Sequence, residues 1–491
     1  MATIDVLVIG AGPTGLVLAA DLRRHGASVR LIDARADRLD LSKAPGVQAR
    51  TLELLDRRGL ARELISRGAP TDSARLHVSK RRTTRFPLEI GARDTRFPYL
   101  LMVSQTETED ILEQALDIPV ERQTRLISFT QDADGVTALL RRADGTEEEV
   151  RARYLVGSDG VRSTVREQLG IAFEGETYPR SFLLGDVHID GLDHDSLHIY
   201  PSRQGFALLI PLQRPAPWRL IAVEPGVPRE NAPEPTEADL HDALLGLSGG
   251  TLSLRDPVWI SRFPVHCRMA ARFRDGRVFL AGDAAHVHSP AGAQGMNTGM
   301  QDAWNLGWKL ALVATGRAPA ELLDSYEAER MPVAAYVLKF TDRIFSIQAS
   351  RHWLISGLRR LLIGPFARLI SLARPLRQRA FRRISQLGIE YPDSPAITPG
   401  AGQRLADLEL PDGNWLHELL QGPGYHLLTP EPSNLGRSFL TVHQVPVPEA
   451  LLVRPDGYIA HRGQAGLEAY LHRWLQPEGV RRARPQPEAA P

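Results

Sequence analysis

Three loops with glycine and aspartate at fixed spacing carry the residue types that suit dinucleotide binding. The first reads Gly-Ala-Gly-Pro-Thr-Gly from Gly10 to Gly15 and lies between an apolar run at 4–9 and a predicted helix. In such a loop Gly10 permits the tight turn, Gly12 lets the backbone approach a pyrophosphate, and Gly15 lets the helix pack closely on the strand. The helix N-terminus then faces the anion. The alternative is a tight strand-to-helix turn that holds no ligand.

An acidic residue ends the next predicted strand. Asp33 stands 18 residues after Gly15, where a carboxylate can accept a hydrogen bond from a ribose hydroxyl. Together, strand, helix, second strand and terminal acid form a βαβ unit of about 30 residues. We therefore predict dinucleotide binding, although this loop alone does not separate FAD from NAD.

A second loop carries Asp159-Gly160 and leads to Arg162, directly after a predicted strand that ends at Val156. Taken alone, an Asp-Gly pair is an ordinary turn. Its position after a strand, between the other two loops in chain order, makes it a candidate for the same site.

The third loop carries Gly282-Asp283 after a predicted strand at 278–281. If the dinucleotide is FAD, Asp283 is placed to accept a hydrogen bond from a hydroxyl of its ribityl chain; the alternative is that Asp283 caps a helix. The following segment leads through 295–297 into a predicted helix at 298–315. If the cofactor is a flavin, the amides at this helix start and the helix dipole would stabilise negative charge on its pyrimidine edge.

With all three loops in this order over about 270 residues, the sequence resembles the class A, single-component flavoprotein aromatic hydroxylases, most closely the polyketide and antibiotic hydroxylases. The resemblance covers Asp5 to Gln386, with a looser match from Arg404 to Arg462. It implies a fold like that of para-hydroxybenzoate hydroxylase with a C-terminal domain of phenol hydroxylase type. It also implies FAD as cofactor, NADPH or NADH as electron donor, and oxygen transfer from a flavin C4a-hydroperoxide to an aromatic or polycyclic substrate.

The resemblance also assigns site residues by position. Pro290 matches a residue beside the reactive edge of the flavin, and Pro290, Gly295 and Met296 form the predicted catalytic segment. The predicted FAD-binding residues are Gly10, Gly12, Pro13, Thr14, Gly15, Asp33, Ala34, Arg35, Arg50, Gln105, Asp159, Gly160, Arg162, Gly282, Asp283, Pro290, Gly295, Met296 and Asn297.

The substrate side is predicted from the strands between 181 and 267. Phe206, Leu208 and Ile210 alternate along one strand, and Arg219, Ile221 and Val223 along another. A period of two does not say which face is turned inward. The substrate candidates are Phe206, Leu208, Arg219 and His198, and no clear catalytic base is present.

The element pattern predicts an α/β nucleotide-binding fold interrupted by a β-rich insertion. The resemblance implies that these parts are a Rossmann-like FAD-binding domain of glutathione reductase type and an inserted β-sheet substrate domain, followed by a small thioredoxin-like C-terminal domain. The FAD-binding domain takes 1–74, 102–180 and 268–390, where helices extend over 321–387. The substrate domain takes 75–101 and 181–267, which is interpreted as mostly β. The C-terminal domain takes 391–478, and 479–491 is predicted to be a disordered tail. Strands are also expected at 125–142 and 147–156.

Composition excludes several classes of protein. The net charge of +1 gives no global field for nucleic acid, and the single cysteine, Cys267, rules out an internal disulfide. His286 and His288 have no companion acid or cysteine cluster, so no metal site is expected. With no secretory signal and no membrane-spanning run, a cytoplasmic protein is expected, as a monomer or homodimer.

The predicted function is NAD(P)H-consuming, FAD-dependent monooxygenation of an aromatic or polycyclic, polyketide-like substrate with O2. A second Gly-x-Gly-x-x-Gly loop and a Cys-x-x-Cys pair, which a disulfide reductase would need, are absent. Two alternatives stay open. One is a different oxidation on the same scaffold, such as Baeyer–Villiger oxidation, epoxidation or antibiotic inactivation. The other is a non-catalytic FAD-bearing protein that binds a ligand.

Overall fold

The structure is a computed structural model that describes residues 3–38, 44–79, 82–87, 94–201, 206–225, 233–248, 252–289, 292–349 and 374–475. Its helices are α1 (Pro13–Arg24), α2 (Ala49–Asp56), α3 (Ala61–Arg67), α4 (Gln105–Gln114), α5 (Thr164–Gln168), α6 (Glu237–Ser248), α7 (Gly295–Ala314), α8 (Asp324–Ala349), α9 (Arg374–Ile384) and α10 (Leu467–Trp474). Short 3-10 turns lie at Gly282–Ala284, Ala320–Leu323 and Leu416–Leu420.

The strands of the first half of the chain are β1 (Ile4–Ile9), β2 (Val29–Ile32), β3 (Gly46–Val47), β4 (Ala69–Thr71), β5 (Ser73–Ser79), β6 (Arg82–Pro87), β7 (Leu100–Met102), β8 (Val120–Glu121), β9 (Arg125–Gln131), β10 (Val136–Arg141), β11 (Glu147–Gly157) and β12 (Phe173–Asp190). Those of the second half are β13 (Ser196–Pro201), β14 (Phe206–Pro211), β15 (Trp218–Pro225), β16 (Ser253–Ala270), β17 (Arg274–Asp275), β18 (Val278–Leu280), β19 (His286–Val287), β20 (Tyr425–Thr429), β21 (Leu440–Gln444), β22 (Leu451–Val453) and β23 (Ile459–Arg462).

The first sheet explains why the three loops meet. Its strands run in the order β17-β18-β11-β1-β2-β8, with β10 and β9 added beside β11. β18, β11, β1 and β2 are mutually parallel neighbours. The Gly282-Asp283 loop follows β18, the Asp159-Gly160 loop follows β11, and the glycine-rich turn follows β1. Because adjacent parallel strands end at the same edge of a sheet, the three loops lie side by side, where doubly wound folds bind ligands.

The second sheet is the inserted one, with strand order β19-β16-β12-β15-β14-β13-β5-β6. One face is covered by α6, whose Leu240 and Leu244 pack on Leu183 and Leu220. The other face forms an apolar cluster with Met102 of β7. β7 pairs with β3 and β4 in a small three-stranded sheet. Through this second face the inserted sheet is turned towards the predicted FAD-binding domain, which we call the FAD-side domain.

The C-terminal unit contains a four-stranded mixed sheet in the order β21-β20-β22-β23, in which β20 and β21 are parallel. Its core residues Tyr425 and Leu471 share a cluster with Trp308 of α7. The unit is thus packed directly on the helix that begins at the third loop. This arrangement of a Rossmann-like sheet, an inserted sheet and a small C-terminal unit is the predicted fold class. The exact domain boundaries stay a prediction, and β12 and β16 run across the boundaries proposed at 181 and 267.

Several expected elements differ in the structure. The strand expected over 125–142 is two strands, because Asp132 Oδ1 accepts from the amides of Asp134 and Gly135 and closes a turn between them. The helix α6 interrupts the segment interpreted as mostly β. Helix α7 begins at Gly295, three residues before the expected start. In the helical stretch at 321–387, α8 and α9 are present, while 350–373 and the predicted tail at 479–491 lie outside the described residues.

Candidate active site

The glycine-rich turn after β1 is locked by close backbone contacts. Gly10 has φ +100°, and a Cβ there would lie 2.5 Å from the Ser158 carbonyl oxygen. A Cβ on Gly15 would lie 1.8 Å from the Gly10 carbonyl oxygen. A Cβ on Gly12, in contrast, would meet nothing within 4 Å. Gly12 therefore borders open space at the N-terminus of α1, where a pyrophosphate would sit.

Asp33, which is buried, is already held by the same turn. Its Oδ2 accepts from the Ala11 amide at 2.8 Å, and its Oδ1 accepts from the Arg35 amide at 2.9 Å and from Arg35 Nε at 3.1 Å. Burial raises the pKa of Asp33, but the hydrogen bonds from Arg35 and Ala11 outweigh burial and leave the pKa below its ordinary value. A ribose hydroxyl would share this carboxylate with Arg35.

The loop after β11 is fastened to the glycine-rich turn. Ser158 Oγ donates to the carbonyl oxygens of Ile9 and Gly10, each at 2.9 Å. The Ser158 side chain therefore fixes the position of the second loop relative to the first.

Asp159 is half-buried in this loop. Asp159 Oδ2 accepts from the Val165 amide at 3.2 Å, whereas its Oδ1 is buried with no hydrogen-bond partner among the described residues. Burial raises the pKa of Asp159. Gly160, at φ +81°, borders open space, and the side chain of Arg162 is exposed.

The loop after β18 packs on the start of α1 through Thr14. A Cβ on Gly282, which has φ +63°, would lie 2.6 Å from Thr14 Oγ1, and a Cβ on Gly299 of α7 would lie equally close. Thr14 thus fills the space between two glycines, and only glycine fits at either. Asp283 is exposed in this loop.

The first amides of α7 have no acceptor inside the helix. The first hydrogen bond inside the helix runs from the Thr298 amide to the Gln294 carbonyl at 2.9 Å. The amides of Gly295, Met296 and Asn297 precede it and have no acceptor inside the helix. This end of the helix stabilises a negative charge placed against it.

The side chain of Asn297 has a different task. Its Oδ1 accepts from the Gln48 amide at 2.8 Å, and its Nδ2 donates to the carbonyls of Gly46 and Ala293 at 2.9 and 2.8 Å. Asn297 therefore ties α7 to the strand β3 and to the start of α2, and only its backbone is left for a ligand. Pro290 lies outside the described residues.

Two predicted FAD contacts are engaged elsewhere. Arg50 is fully buried and donates to Glu53 Oε2 at 3.0 Å and to the Asp456 carbonyl at 2.5 Å, so its guanidinium reaches the C-terminal unit. Gln105 Nε2 donates to Glu109 Oε1 at 2.8 Å within α4. Their contact with FAD stays a prediction.

The apolar wall opposite these loops comes from the inserted sheet. Phe206, Leu208 and Ile210 cluster with Phe182 and Met102 on the face turned towards the FAD-side domain. The small sheet that holds Met102 abuts the third loop, because a Cβ on Gly46 would lie 2.8 Å from Ala293 Cβ. The wall therefore adjoins the N-terminus of α7.

The other two substrate candidates are placed differently. Arg219 shares the inward face but is fully buried and bidentate to Asp186 at 2.6 and 2.7 Å, while Trp259 donates to the same carboxylate. His198 lies on the opposite face, beside Trp218 under α6, and its Nδ1 is 2.9 Å from His77 Nε2. The structure thus brings Phe206 and Leu208 to the wall but not His198.

Sequence reasoning missed the residues that fix the loops from behind. Arg166 donates to the Ala284 carbonyl at 2.9 Å and so links the second loop to the third. Asp302 of α7 accepts from the Gly282 amide at 3.1 Å. Arg166 stands four residues after Arg162, and Asp302 lies within the predicted helix. Nothing in the spacing of either residue indicates that its partner is a backbone group of the third loop. Phe182 and Met102 were also missed, because the inward face of a strand is not encoded by a period of two.

The described residues fit FAD. Open space adjoins Gly12 and Gly160, one Asp159 oxygen is buried with no partner among the described residues, Asp283 is exposed beside the other loops, and the first three amides of α7 have no acceptor inside that helix. In the described part of the chain, no cluster of three His, Cys, Asp or Glu side chains could hold a metal ion, and no helix is long and apolar enough to cross a membrane.

Comparison with known proteins agrees with this geometry. The FAD binding domain family matches residues 3–341. The chain is 41% identical over 416 residues to a 6-methylpretetramide 4-monooxygenase of Streptomyces rimosus, which covers 82% of this chain and 72% of that protein. It is 36% identical over 473 residues to a rifampicin monooxygenase of Streptomyces venezuelae, covering 94% and 96%. The solved anhydrotetracycline hydroxylase of Streptomyces rimosus superposes with TM-score 0.79 at 35% identity, over 97% of this chain and 100% of that one.

The family match spans well over half of the chain, and these relatives cover most of it at more than 30% identity. The shared region contains all three loops and the inserted sheet. The chain therefore belongs to the class A, single-component FAD-dependent aromatic hydroxylases.

Proposed function

We propose that this FAD-dependent, NAD(P)H-consuming monooxygenase hydroxylates a polycyclic phenol of polyketide type. The observation that carries the proposal is one juxtaposition. Three loops from adjacent parallel strands and the open N-terminus of α7 lie beside an apolar, aromatic wall formed by Phe182, Phe206 and Leu208. Such a wall suits a flat, fused-ring molecule.

In this proposal the loops hold FAD along its length. The open side of Gly12 and the start of α1 take the pyrophosphate, Asp33 takes the adenosine ribose, and Asp283 accepts from a ribityl hydroxyl. The amides of Gly295 and Met296 would lie at the pyrimidine edge of bound FAD, where they would stabilise negative charge. Bound FAD supplies the redox and oxygen-transfer chemistry, and the protein supplies orientation and a dry wall.

The substrate class also rests on the relatives. One carries the name 6-methylpretetramide 4-monooxygenase and a solved one that of anhydrotetracycline hydroxylase. A cytoplasmic site, where NAD(P)H is available, and a monomeric or dimeric state complete the proposal.

The test is NADPH and NADH oxidation by purified, FAD-loaded protein with and without a panel of polycyclic phenols. We expect yellow protein and oxidation that rises with at least one phenol, giving a product one oxygen atom heavier. Yellow protein that no phenol stimulates would contradict the hydroxylase and favour a non-catalytic FAD-bearing protein. Colourless protein that takes up no added FAD would contradict the flavin site itself.

A second candidate is oxidative inactivation of an antibiotic, because a rifampicin monooxygenase is 36% identical over 94% of this chain. Adding rifampicin to the same panel separates the two. Stimulated oxidation with rifampicin and none with the phenols would favour inactivation, and the structure of the product would separate ring hydroxylation from Baeyer–Villiger oxidation or epoxidation.

A further inference from the structure

The C-terminal unit inserts a charged turn into the FAD-side helices. Arg454, which is fully buried, donates to both oxygens of Glu329 on α8 at 2.6 and 2.8 Å. Glu329 Oε2 also accepts from Lys309 Nζ at 2.8 Å and from Asn305 Nδ2 at 2.5 Å, both on α7. Asp456, two residues after Arg454, also pairs with the Arg454 guanidinium. The two carboxylates of Glu329 and Asp456 thus balance the two positive charges of Arg454 and Lys309. The turn is therefore held by ion pairs whose members are all buried.

The next residue on α8 continues this network in the other direction. Arg330 Nε donates to Asp302 Oδ1 at 2.7 Å, its second nitrogen to the hydroxyl of Tyr391 at 2.9 Å, and its third to the Thr298 carbonyl at 3.2 Å. Tyr391 opens the predicted C-terminal unit, and its ring lies 4.3 Å from that of Tyr458. Arg330 thus connects the C-terminal unit to the first turns of α7.

Asp302 carries the connection to the third loop. Its Oδ2 accepts from the Gly282 amide at 3.1 Å and lies 2.7 Å from His286 Nε2. Burial would raise the pKa of Asp302, but the charges of Arg330 and His286 outweigh burial and lower it. The carboxylate is therefore ionised and fixed by three donors, and it fixes the loop that carries Asp283.

These contacts form two buried clusters, one that joins Arg454 to Glu329 and one that joins Arg330 to Asp302 and Gly282, and the two meet at the neighbouring α8 residues Glu329 and Arg330. Because a buried charge that loses its partner is strongly destabilising, each cluster holds its part of α8 in place. None of these side chains lies on the open side of the loops, so their effect on FAD must pass through the loop.

We propose that Asp302 and Arg330 are positioning residues for the flavin, and that the C-terminal unit holds them in place and so completes the FAD site without touching it. This inference rests on the proposed placement of FAD against Asp283. It gives the C-terminal unit a role in cofactor retention that needs neither a redox pair nor a second subunit.

Two neighbouring tyrosines, Tyr391 and Tyr458, provide a matched test. Tyr391→Phe removes the hydroxyl that accepts from Arg330, whereas Tyr458→Phe removes a buried hydroxyl that has no hydrogen-bond partner among the described residues. We expect Tyr391→Phe to raise the dissociation constant of FAD about threefold to tenfold, the range typical of coupling through a network. Tyr458→Phe should stay within about twofold of wild type. Equal FAD affinities in wild type and both variants would overturn the inference.

A stronger variant is Asp302→Asn, which keeps the shape and one acceptor but removes the anion between Arg330 and His286. We expect at least about a tenfold weaker FAD affinity and an altered band shape of the bound flavin near its long-wavelength maximum. A merely structural role would lower the melting temperature of the apoprotein and leave both of these readouts unchanged. If Asp302→Asn does not fold, the tyrosine pair decides.

Asp283→Ala separates this inference from the proposed function. If Asp283→Ala binds FAD like wild type, the proposed placement of the cofactor is wrong. If Asp283→Ala weakens FAD binding while Tyr391→Phe and Asp302→Asn do not, only the role of the C-terminal unit is wrong.

Discussion

The three loops and the seam of the C-terminal unit are held together by different kinds of contact. The seam is the set of buried contacts of Arg454 with Glu329 and Asp456, and of Glu329 with Lys309 and Asn305. The loops rely on glycines whose missing side chains let backbones touch, as where a Cβ on Gly15 would lie 1.8 Å from the Gly10 carbonyl oxygen. The seam relies on long charged side chains, such as Arg454 and Glu329, that satisfy one another completely. The loops therefore leave backbone groups and open space for a ligand, whereas the seam leaves none.

The two kinds of contact serve different tasks, one for binding a ligand and one for holding the fold rigid. A ligand can bind where backbone donors have no partner inside their own helix, as at the first amides of α7. Buried side chains that pair with one another, such as Arg454 and Glu329, offer no group to a ligand, but they can hold the ligand-binding loops in one position. The two regions meet at Asp302.

The largest effect is expected from breaking the seam. Arg454→Met leaves Glu329 and Asp456 short of a buried partner, which should lower the free energy of unfolding by about 3–5 kcal/mol. Arg255→Met is the matched control, because it breaks exposed ion pairs with Asp190 and Asp256 and should leave the free energy of unfolding nearly unchanged. Denaturant unfolding of both variants measures the difference, and similar losses would contradict the contrast between seam and surface.

Two glycines of the first loop sharpen the comparison from the other side. Gly15→Ala forces a Cβ into the Gly10 carbonyl and should disrupt the turn, costing about 1–3 kcal/mol or more in stability. Gly12→Ala puts its methyl group into open space, so the fold should survive while FAD binds at least about tenfold more weakly, because the backbone can no longer approach a pyrophosphate. Circular dichroism and FAD titration separate the two outcomes. Wild-type FAD affinity in Gly12→Ala would argue against the pyrophosphate position.

A buried histidine of the C-terminal unit makes the protein sensitive to acid. Burial and the nearby charge of Arg57 lower the pKa of His426 to about 3, against about 6.5 in an unfolded chain. The unfolded state therefore binds the proton first, and stability should fall as pH drops from about 6.5 towards 3, by up to about 1.4 kcal/mol per pH unit from this group. His426→Leu should flatten this slope, whereas His472→Leu, which removes an exposed histidine, should not.

The smallest effect concerns a residue of the third loop. Ala293 has φ +53°, in the left-handed region that favours glycine. Ala293→Gly should therefore raise the free energy of unfolding by about 0.5–1 kcal/mol, with FAD affinity kept. Thermal unfolding of the FAD-free protein measures this change, and a lower melting temperature would show that the methyl group contributes packing that outweighs the strain.

The same contrast decides how much could be predicted from sequence. The loops were predicted because glycine and aspartate at fixed spacing express a local geometry, and parallel strands bring distant loops to one edge. The seam could not be predicted, because Arg454 and Glu329 are 125 residues apart and the sequence around each residue gives no indication of its partner. The FAD contact of Arg50 stays a prediction: its position matches a flavin contact of the family, and its guanidinium donates to Glu53 and to the Asp456 carbonyl.

The inserted sheet gives the intermediate case. The alternation of Phe206, Leu208 and Ile210 predicted a strand, but only the position of α6 on the other face shows which side is turned towards the FAD-side domain. Helix α6 itself was not predicted, and His198 was consequently assigned to the substrate side although it lies under that helix.

The central claim is that FAD lies along the three loops with its ribityl chain against Asp283. The most direct test is the dissociation constant of FAD from Asp283→Ala beside that of wild type, in protein shown to be folded. We expect the dissociation constant of FAD to rise by a factor of about 5–150, because a ribityl hydroxyl loses its acceptor at a cost of about 1–3 kcal/mol. An unchanged dissociation constant would contradict the claim.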